Sequence, residues 1–228
     1  MCIRDRVYQY RYVELSAEQK KLYKDLSDFA VTSLDGKALS IDNVLTMMLR
    51  LHQITCGHYT SDDGETIQVE NNRVSELLQV LGEAPDKVII WANYIQDIKS
   101  IVAALTKEYG AESVVQYYGA VNQDDRNLAI ERFQKDPTCK FFVGNPQTGS
   151  MGITLTAADT VVYYSNSYNL EHRLQSEDRA HRIGQDKSVL YVDIICPKTI
   201  DEKIVKALKA KKNIAQQVMG DEWKEWLQ

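Results

Sequence analysis

The chain has 228 residues, 44% of them hydrophobic and 26% charged, with four cysteines and a formal net charge of -5. That length and balance suit one substantial core with helical additions at its ends, and the acidic excess argues against coating nucleic acid by charge alone. No run of about 18 apolar residues could cross a bilayer, and no basic, apolar and small-residue leader pattern opens the chain, so the expected location is cytoplasmic, with no membrane partner.

Cys2, Cys56, Cys139 and Cys196 are scattered without a CxxC pair, and His52, His58, His172 and His181 have no metal-ligand spacing. No disulfide framework and no metal site is expected; the thiols read as buried or free.

The opening MCIRDR lacks periodicity and is set aside as a sequence-assembly scar. Ser16 and Gln19 then form a capping-box pattern ahead of Leu22, Leu26 and Phe29 at helical spacing. A second amphipathic helix is expected over Asp42 to Ile54, with Leu45, Met48, Leu49 and His52 on one face, followed by a loop at TSDDGETIQ.

From about Asn72 short apolar runs alternate with helical stretches. KVIIWA, SVVQYYG, KFFVGN, TVVYYSN and SVLYVDIIC favour strands. Helices are expected at Tyr94 to Tyr109, Gln123 to Phe133, briefly after Gly149, and at Asn169 to Ile183. Such alternation implies right-handed crossovers and an open α/β domain: a mostly parallel sheet with helices on both faces. Thr199 and Glu202 suggest another capping box, with Ile200, Ile204, Ala207 and Leu208 as the buried stripe of a C-terminal helix, and WKEWL is expected to dock back. Lys203, Lys206, Lys209, Lys211 and Lys212 fit a solvated face or phosphate contacts equally.

Two stretches carry chemistry, and both are expected beyond the carboxyl ends of the strands, where open parallel sheets bind ligands. In GNPQTGSMG, small residues let backbone N–H groups approach a phosphate, a ribose or a nucleic-acid backbone closely. In LQSEDRAHRIGQ, a helix capped by Asn169 and closed by Gly184 would place Gln175, Arg179 and Arg182 on one stripe, with Leu170 and Leu174 holding it on the sheet. Two planar, permanently charged guanidiniums on one face suit a polyanion. The alternative is a salt-bridge face paired locally with Glu177 and Asp178.

QSEDRAHRIGQ resembles the last motif of the Swi/Snf-type helicase-like ATPases of superfamily 2, QxxDRxHRxGQ. TGSMGITLTAADTVVYY resembles the motif before it, SNSYNLEHRLQ the linking segment, and YYGAVNQDDRNLAIERF the family's glycine and arginine-bearing helix, here Gly119 and Arg126. KVIIWANYIQDI is similar to the opening strand of the family's second RecA-like lobe, and VELSAEQKKLYKDL and LTMMLRLHQITCG to the segment linking its two lobes. The likeness runs from about Val7 to Leu208. Where the family commonly has glycine, asparagine, two acids, tryptophan and proline, this chain has Ser150, Thr154, Ser165 and Ser167, Tyr168 and Leu170.

The resemblance implies a helical inter-lobe segment over 1–70, a second RecA-like lobe over 71–197 and a C-terminal helical extension over 198–228. It implies ATP shared with a first lobe that also holds Mg2+, double-stranded DNA as a partner, and a first RecA-like lobe supplied in cis or in trans. Arg179 and Arg182 would be arginine fingers with Gln175 orienting them or the attacking water. Gly149 and Gly152 would lie near the nucleotide's ribose or the DNA backbone, and Asn93, Gly119, Arg126 and Thr154 near nucleic acid, with Asn93 and Arg126 nearer the groove.

Such an ATPase also needs a GxxxxGK(S/T) phosphate loop and an acidic Mg-binding pair at a strand end. The one Gly-Lys pair, Gly36 and Lys37, is followed by Ala38 and Leu39, and DEKI at Asp201 to Ile204 reads as the first turn of a helix. The expected function is therefore the C-terminal lobe of a DNA-dependent ATPase or translocase, inactive alone. A strand-separating helicase lobe and a non-enzymatic binding module are the alternatives.

Overall fold

A computed structural model describes residues 5–34, 41–61, 63–149, 152–211 and 226–227. In chain order the elements are β1 (Arg6–Tyr12), α1 (Ala17–Leu34), α2 (Ile41–Cys56), β2 (His58–Thr60), β3 (Thr66–Gln68), α3 (Arg73–Glu83), β4 (Lys87–Trp91) and α4 (Ile95–Tyr109). They continue with β5 (Val114–Tyr117), α5 (Gln123–Lys135), β6 (Phe141–Gly144), α6 (Pro146–Gly149), β7 (Ala158–Tyr163), α7 (Leu170–Ala180), β8 (Val189–Ile195) and α8 (Ile200–Lys209). Two compact units result: Met1–Arg11, Val74–Ser167 and Glu171–Ile194 form one, and Tyr12–Arg73, Tyr168–Leu170 and Ile195–Gln228 the other.

The first unit is built on a six-stranded sheet in the order β1-β8-β7-β4-β6-β5, with β4, β5, β6, β7 and β8 paired in parallel. All five strands expected from the apolar runs are present. Helices cover both faces, so β4 alternates between two interiors and remains buried throughout from Val88 to Trp91. On one face Trp91, Phe142, Tyr163 and Tyr191 pack with Phe133 of α5. The short helix α6 ends at Gly149 rather than following it, because the Asn145 side chain accepts from the Gln147 N–H at 2.9 Å and starts the turn directly after β6.

The second unit is helical, with the β2–β3 hairpin where a loop was expected; Tyr59 pairs with Ile67 across it. The capping box of α1 is present: the Ser16 N–H donates to Gln19 Oε1 at 3.0 Å and the Gln19 N–H to Ser16 Oγ at 3.1 Å. The buried face of α1 is not the leucine stripe. Gln19, Tyr23, Ser27 and Ala30 are buried, while Leu22 and Leu26 are half-buried and Phe29 is exposed. Polar contacts set that rotation: Gln19 Nε2 donates to the Ile54 carbonyl at 2.7 Å, and the Tyr23 hydroxyl accepts from the Ile200 N–H at 2.8 Å. On α2, Met48 and His52 face inward as expected but Leu45 and Leu49 are exposed; Val44, Leu51 and Ile54 complete the core.

Ile200, Ile204, Ala207 and Leu208 of α8 are buried in the same core, joined by Trp226 and Leu227 of the WKEWL segment. Thr199 caps α8 by accepting from the Asp201 N–H at 3.2 Å, whereas Glu202 accepts from Lys198 rather than from the cap residue itself. Asp201, the first acid of DEKI, is buried. It is ion-paired with Arg73, accepts from Thr55 Oγ1 at 2.7 Å and the Cys196 N–H at 3.1 Å, and lies 3.5 Å from His52 Nε2. Burial would raise this carboxyl, but Arg73 and then His52 outweigh it and hold it below the ordinary carboxylate range. Among the described residues Cys56, Cys139 and Cys196 are buried and form no disulfide, and Cys2 lies outside the described residues.

Candidate functional site

The arginine-bearing segment lies at the amino edge of the sheet, not beyond the carboxyl ends. Helix α7 follows β7 and runs back along it, so its last turn meets the residues that lead into that strand. The Leu155 N–H donates to the Arg179 carbonyl at 3.0 Å, and Gln185 Nε2 to the carbonyl of Ala158, the first residue of β7, at 2.7 Å. The helix also ends at Ala180, short of the expected Ile183. Arg182 therefore occupies the following turn, where Gly184 has φ 100°, a left-handed conformation that favours glycine.

The two guanidiniums still converge, through the turn rather than through a shared helical stripe. Arg182 Nη1 donates to the Gly152 carbonyl at 3.2 Å, the Ile153 carbonyl at 3.5 Å and Thr154 Oγ1 at 3.0 Å; Arg179 Nη1 reaches the Ile153 carbonyl at 3.4 Å. Partial burial, and then the charge of Arg182, pull the Arg179 pKa below its ordinary value. The neighbouring acids form their ion pairs with other arginines, Arg173 on the same helix and Arg6 of β1, and not with Arg179 or Arg182. Glu177 pairs with Arg173 at 2.7 Å and Arg6 at 3.1 Å, and Asp178 with Arg6 at 2.7 Å. Gln175 donates to Glu171 at 2.8 Å, one turn back on the same helix.

Gly152, Thr154, Arg179 and Arg182 thus form one cluster. Gly152 has φ 75° and open space where a Cβ would stand. Asn93, Gly119 and Arg126 lie apart from it, past the carboxyl ends of β4 and β5. There the Asn93 N–H donates to Ser165 Oγ at 2.8 Å, and its carbonyl accepts from Asn145 Nδ2 at 2.8 Å. Ser165 Oγ in turn donates to buried Asp97 at 2.9 Å. Arg126 donates to Gln123 at 2.8 Å and stands 5.8 Å over the Tyr117 ring.

Gly149 also sits at that carboxyl edge, for a packing reason: a Cβ there would lie 2.5 Å from the buried Trp91 ring. Gly149→Ala should therefore cost about 1–3 kcal/mol by overpacking, read as a lower thermal midpoint. A variant melting with the parent would remove this account of the glycine.

Two residues escaped the sequence reading. Gln185 is buried; its Nε2 also donates to Thr156 O at 3.2 Å and Ala180 O at 3.4 Å, and its Oε1 accepts from the Lys187 N–H at 3.0 Å, bracing the turn that carries Arg182. Arg173 is buried beneath α7, where a leucine contact was expected, while Leu174 is 40% exposed. A single glutamine beyond a glycine gives little local signal. An arginine at a core-facing position reads as surface.

The helicase conserved C-terminal domain family matches residues 70–184, the stretch from just ahead of α3 to the turn behind Arg182. The chain belongs to that family. It is a helicase C-terminal lobe of the Swi/Snf type, with the RecA-like open sheet expected of one. The lobe is 30% identical over 235 residues to YwqA of Bacillus subtilis, covering 96% of this chain and 24% of that protein. It is 29% identical over 228 residues to the ISWI chromatin-remodeling complex ATPase ISW1 of Saccharomyces cerevisiae, covering 91% of this chain and 20% of that one. The lobe thus spans 24% and 20% of the length of these relatives.

Among solved structures, the Sulfolobus solfataricus SWI2/SNF2 ATPase core in complex with dsDNA is similar at TM-score 0.75 and 26% identity, covering 97% of this chain and 48% of that chain. The C-terminal part of the Fun30 ATPase domain shares the fold at TM-score 0.77 and 19% identity, covering 99% of this chain and 96% of that chain. Among the described residues no helix of the lobe is long and apolar enough to cross a membrane.

Proposed function

We propose that the lobe works as the second half of a DNA-dependent ATP-driven translocase, with Arg179 and Arg182 facing the terminal phosphate of ATP held on a first RecA-like lobe. The observation that carries this is the convergence of two guanidiniums on the Gly152–Thr154 loop while the adjacent acids are engaged elsewhere. Mutual repulsion and partial burial disfavour that pair, and an anion at the cluster relieves both.

The residues fit a triphosphate. Arg182 is solvent-exposed with a planar fork of donors, and Gly152 leaves the approach open. They do not fit its metal, since Glu177 and Asp178 are ion-paired and Asp201 is buried in its own ion cluster. Mg2+ is accordingly assigned to the first lobe. ATP supplies the phosphoryl group that is transferred; Arg179 and Arg182 neutralise charge developing on it, and the brace by Gln185 keeps them from reorganising as they do so. Asn93, Gly119 and Arg126, at the opposite edge of the sheet, are assigned to nucleic acid, Asn93 and Arg126 nearer the groove; that a similar solved structure is a complex with dsDNA supports DNA as the partner.

Ile183 supports the partner in this reading. It is 95% exposed in the braced turn, between Arg182 and Gly184. One exposed aliphatic residue is ordinary by itself; what points to a covered surface here is its place next to Arg182, on the side this reading turns toward the first lobe. Ile183→Asp should weaken association with a first lobe about tenfold while Ile183→Leu does not; equal affinities by titration calorimetry would exclude Ile183 from the interface.

The test of the whole reading is to join a Swi/Snf-type first lobe to this chain. The joined protein should hydrolyse ATP, faster with duplex DNA, and this chain alone should not. Hydrolysis indifferent to duplex DNA at low salt would overturn it.

A further inference from the structure

Helix α7 is held on the sheet by charge and hydrogen bonds where an apolar seam would be usual. Its buried residues in the first unit are Arg173, Ser176, Glu177 and Ala180. The Arg173 guanidinium grips Asp193 of β8 with both terminal nitrogens, one at 3.1 Å. It also donates to Asn166 at 2.7 Å and to Glu177 at 2.7 Å, and its plane lies 3.5 Å from the centroid of the Tyr163 ring. Two further bonds run alongside: Tyr163 OH with Ser176 Oγ at 2.7 Å, and Tyr191 OH to the Glu177 carbonyl at 2.9 Å.

Apolar contacts are non-directional and tolerate sliding or rotation of a helix. A bidentate pair combined with a stacked ring does not, because each bond is lost within a few tenths of an ångström or a few tens of degrees. The residues that hold α7 fix its rotation and register, and those two quantities determine where its last turn and Arg182 point.

We infer that Arg173 is a positioning residue: clamped between Asp193 and Tyr163, it aims the Arg179–Arg182 pair at the reacting phosphate. The inference rests on the function proposed above for that pair, and it assigns Arg173 no contact with nucleotide.

The test separates aim from stability. In R173M/D193L both partners of the clamp become apolar, a replacement that buried ion pairs commonly tolerate, while Glu177 keeps Arg6 and the Tyr8 hydroxyl as partners. Buried Asn166 loses its bonds to Arg173 and Asp193, so the double variant should stay folded but melt about 5–10 °C below the parent. In the 228-residue chain its Arg179 and Arg182 Nε–Hε resonances should shift toward those of free arginine. In the two-lobe enzyme kcat should fall about 10²-fold with KM for ATP little changed.

If the double variant does not fold, R173K decides. It keeps the cation but not the two-point grip, and should fold with the same resonance shifts and an intermediate loss of kcat. A folded variant of either kind with parental resonances and kcat overturns the inference. R182A, run in parallel, reports on the site itself. If R182A is inactive while the Arg173 variants are normal, only the positioning role falls. If R182A is fully active, the reading of the site falls, and the resonances alone then judge Arg173.

Discussion

Arg182→Ala should lower ATP turnover of the two-lobe enzyme by about 10³-fold or more, with the fold unchanged. Arg182 is exposed and its contacts are to the Gly152 and Ile153 carbonyls and Thr154 Oγ1, so its removal strands no buried charge. The turn that carries it is held by Gln185, which the substitution leaves in place. The loss should fall on kcat, because in the proposed role the guanidinium would act on charge that appears only as the phosphoryl group departs. Arg182→Lys restores a cation without the planar fork and should recover only a small part of the rate. Turnover of Arg182→Ala within a few-fold of the parent would show that this cation does not face the reacting phosphate. Steady-state hydrolysis with saturating duplex DNA and a thermal melt of the same sample are the two measurements required.

The sheet was legible because its strands are buried on both faces and so read as uninterrupted runs such as VIIW and FFV, bounded by glycine and asparagine. The arginine pair was legible as a pair, but its geometry was not. Continuing the 3.6-residue period through His181 and Arg182 ignored Gly184, whose positive φ belongs to a turn and not to the end of a fourth helical turn. Edge assignment failed for a topological reason: residues at the far end of a crossover helix return to the side from which the strands start. The faces of α1 and α7 failed for a shared physical reason. In both, buried polar side chains, Gln19 and Tyr23 in one and Arg173 in the other, override the apolar stripe, and hydropathy reads such residues as surface.

Asp201→Ala should destabilise the helical unit by about 3–5 kcal/mol, because it leaves the Arg73 guanidinium buried without its carboxylate. Thr55, the Cys196 N–H and His52 lose the same partner. Hydrogen exchange resolved by segment should show α2 and α8 losing protection while β4 and β7 retain theirs. Uniform protection in both units would mean that the cluster contributes little. The same carboxylate gives a pH dependence. Its pKa in the folded chain lies below the unfolded value of about 3.9. The stabilisation is therefore complete above about pH 4 and is lost as pH falls through the folded value. Acid should loosen α2 and α8 in the parent, and Asp201→Ala should remove this part of the acid sensitivity.

Arg73 and Asp201, which close the helical unit, lie 128 positions apart. On a ribosome adding about 5–20 residues per second, the interval between them is roughly 6–26 s. Throughout that time Tyr23, Met48 and Leu51 of α1 and α2 have been made, but the α8 side chains that cover them, Ile200 and Ile204, have not. Strands β4 to β8 emerge within the same interval and can form their own core with β1, which is already made. Nascent chains should therefore carry an uncovered apolar helix pair until α8 is made, a target for holdase chaperones that disappears once α8 leaves the exit tunnel.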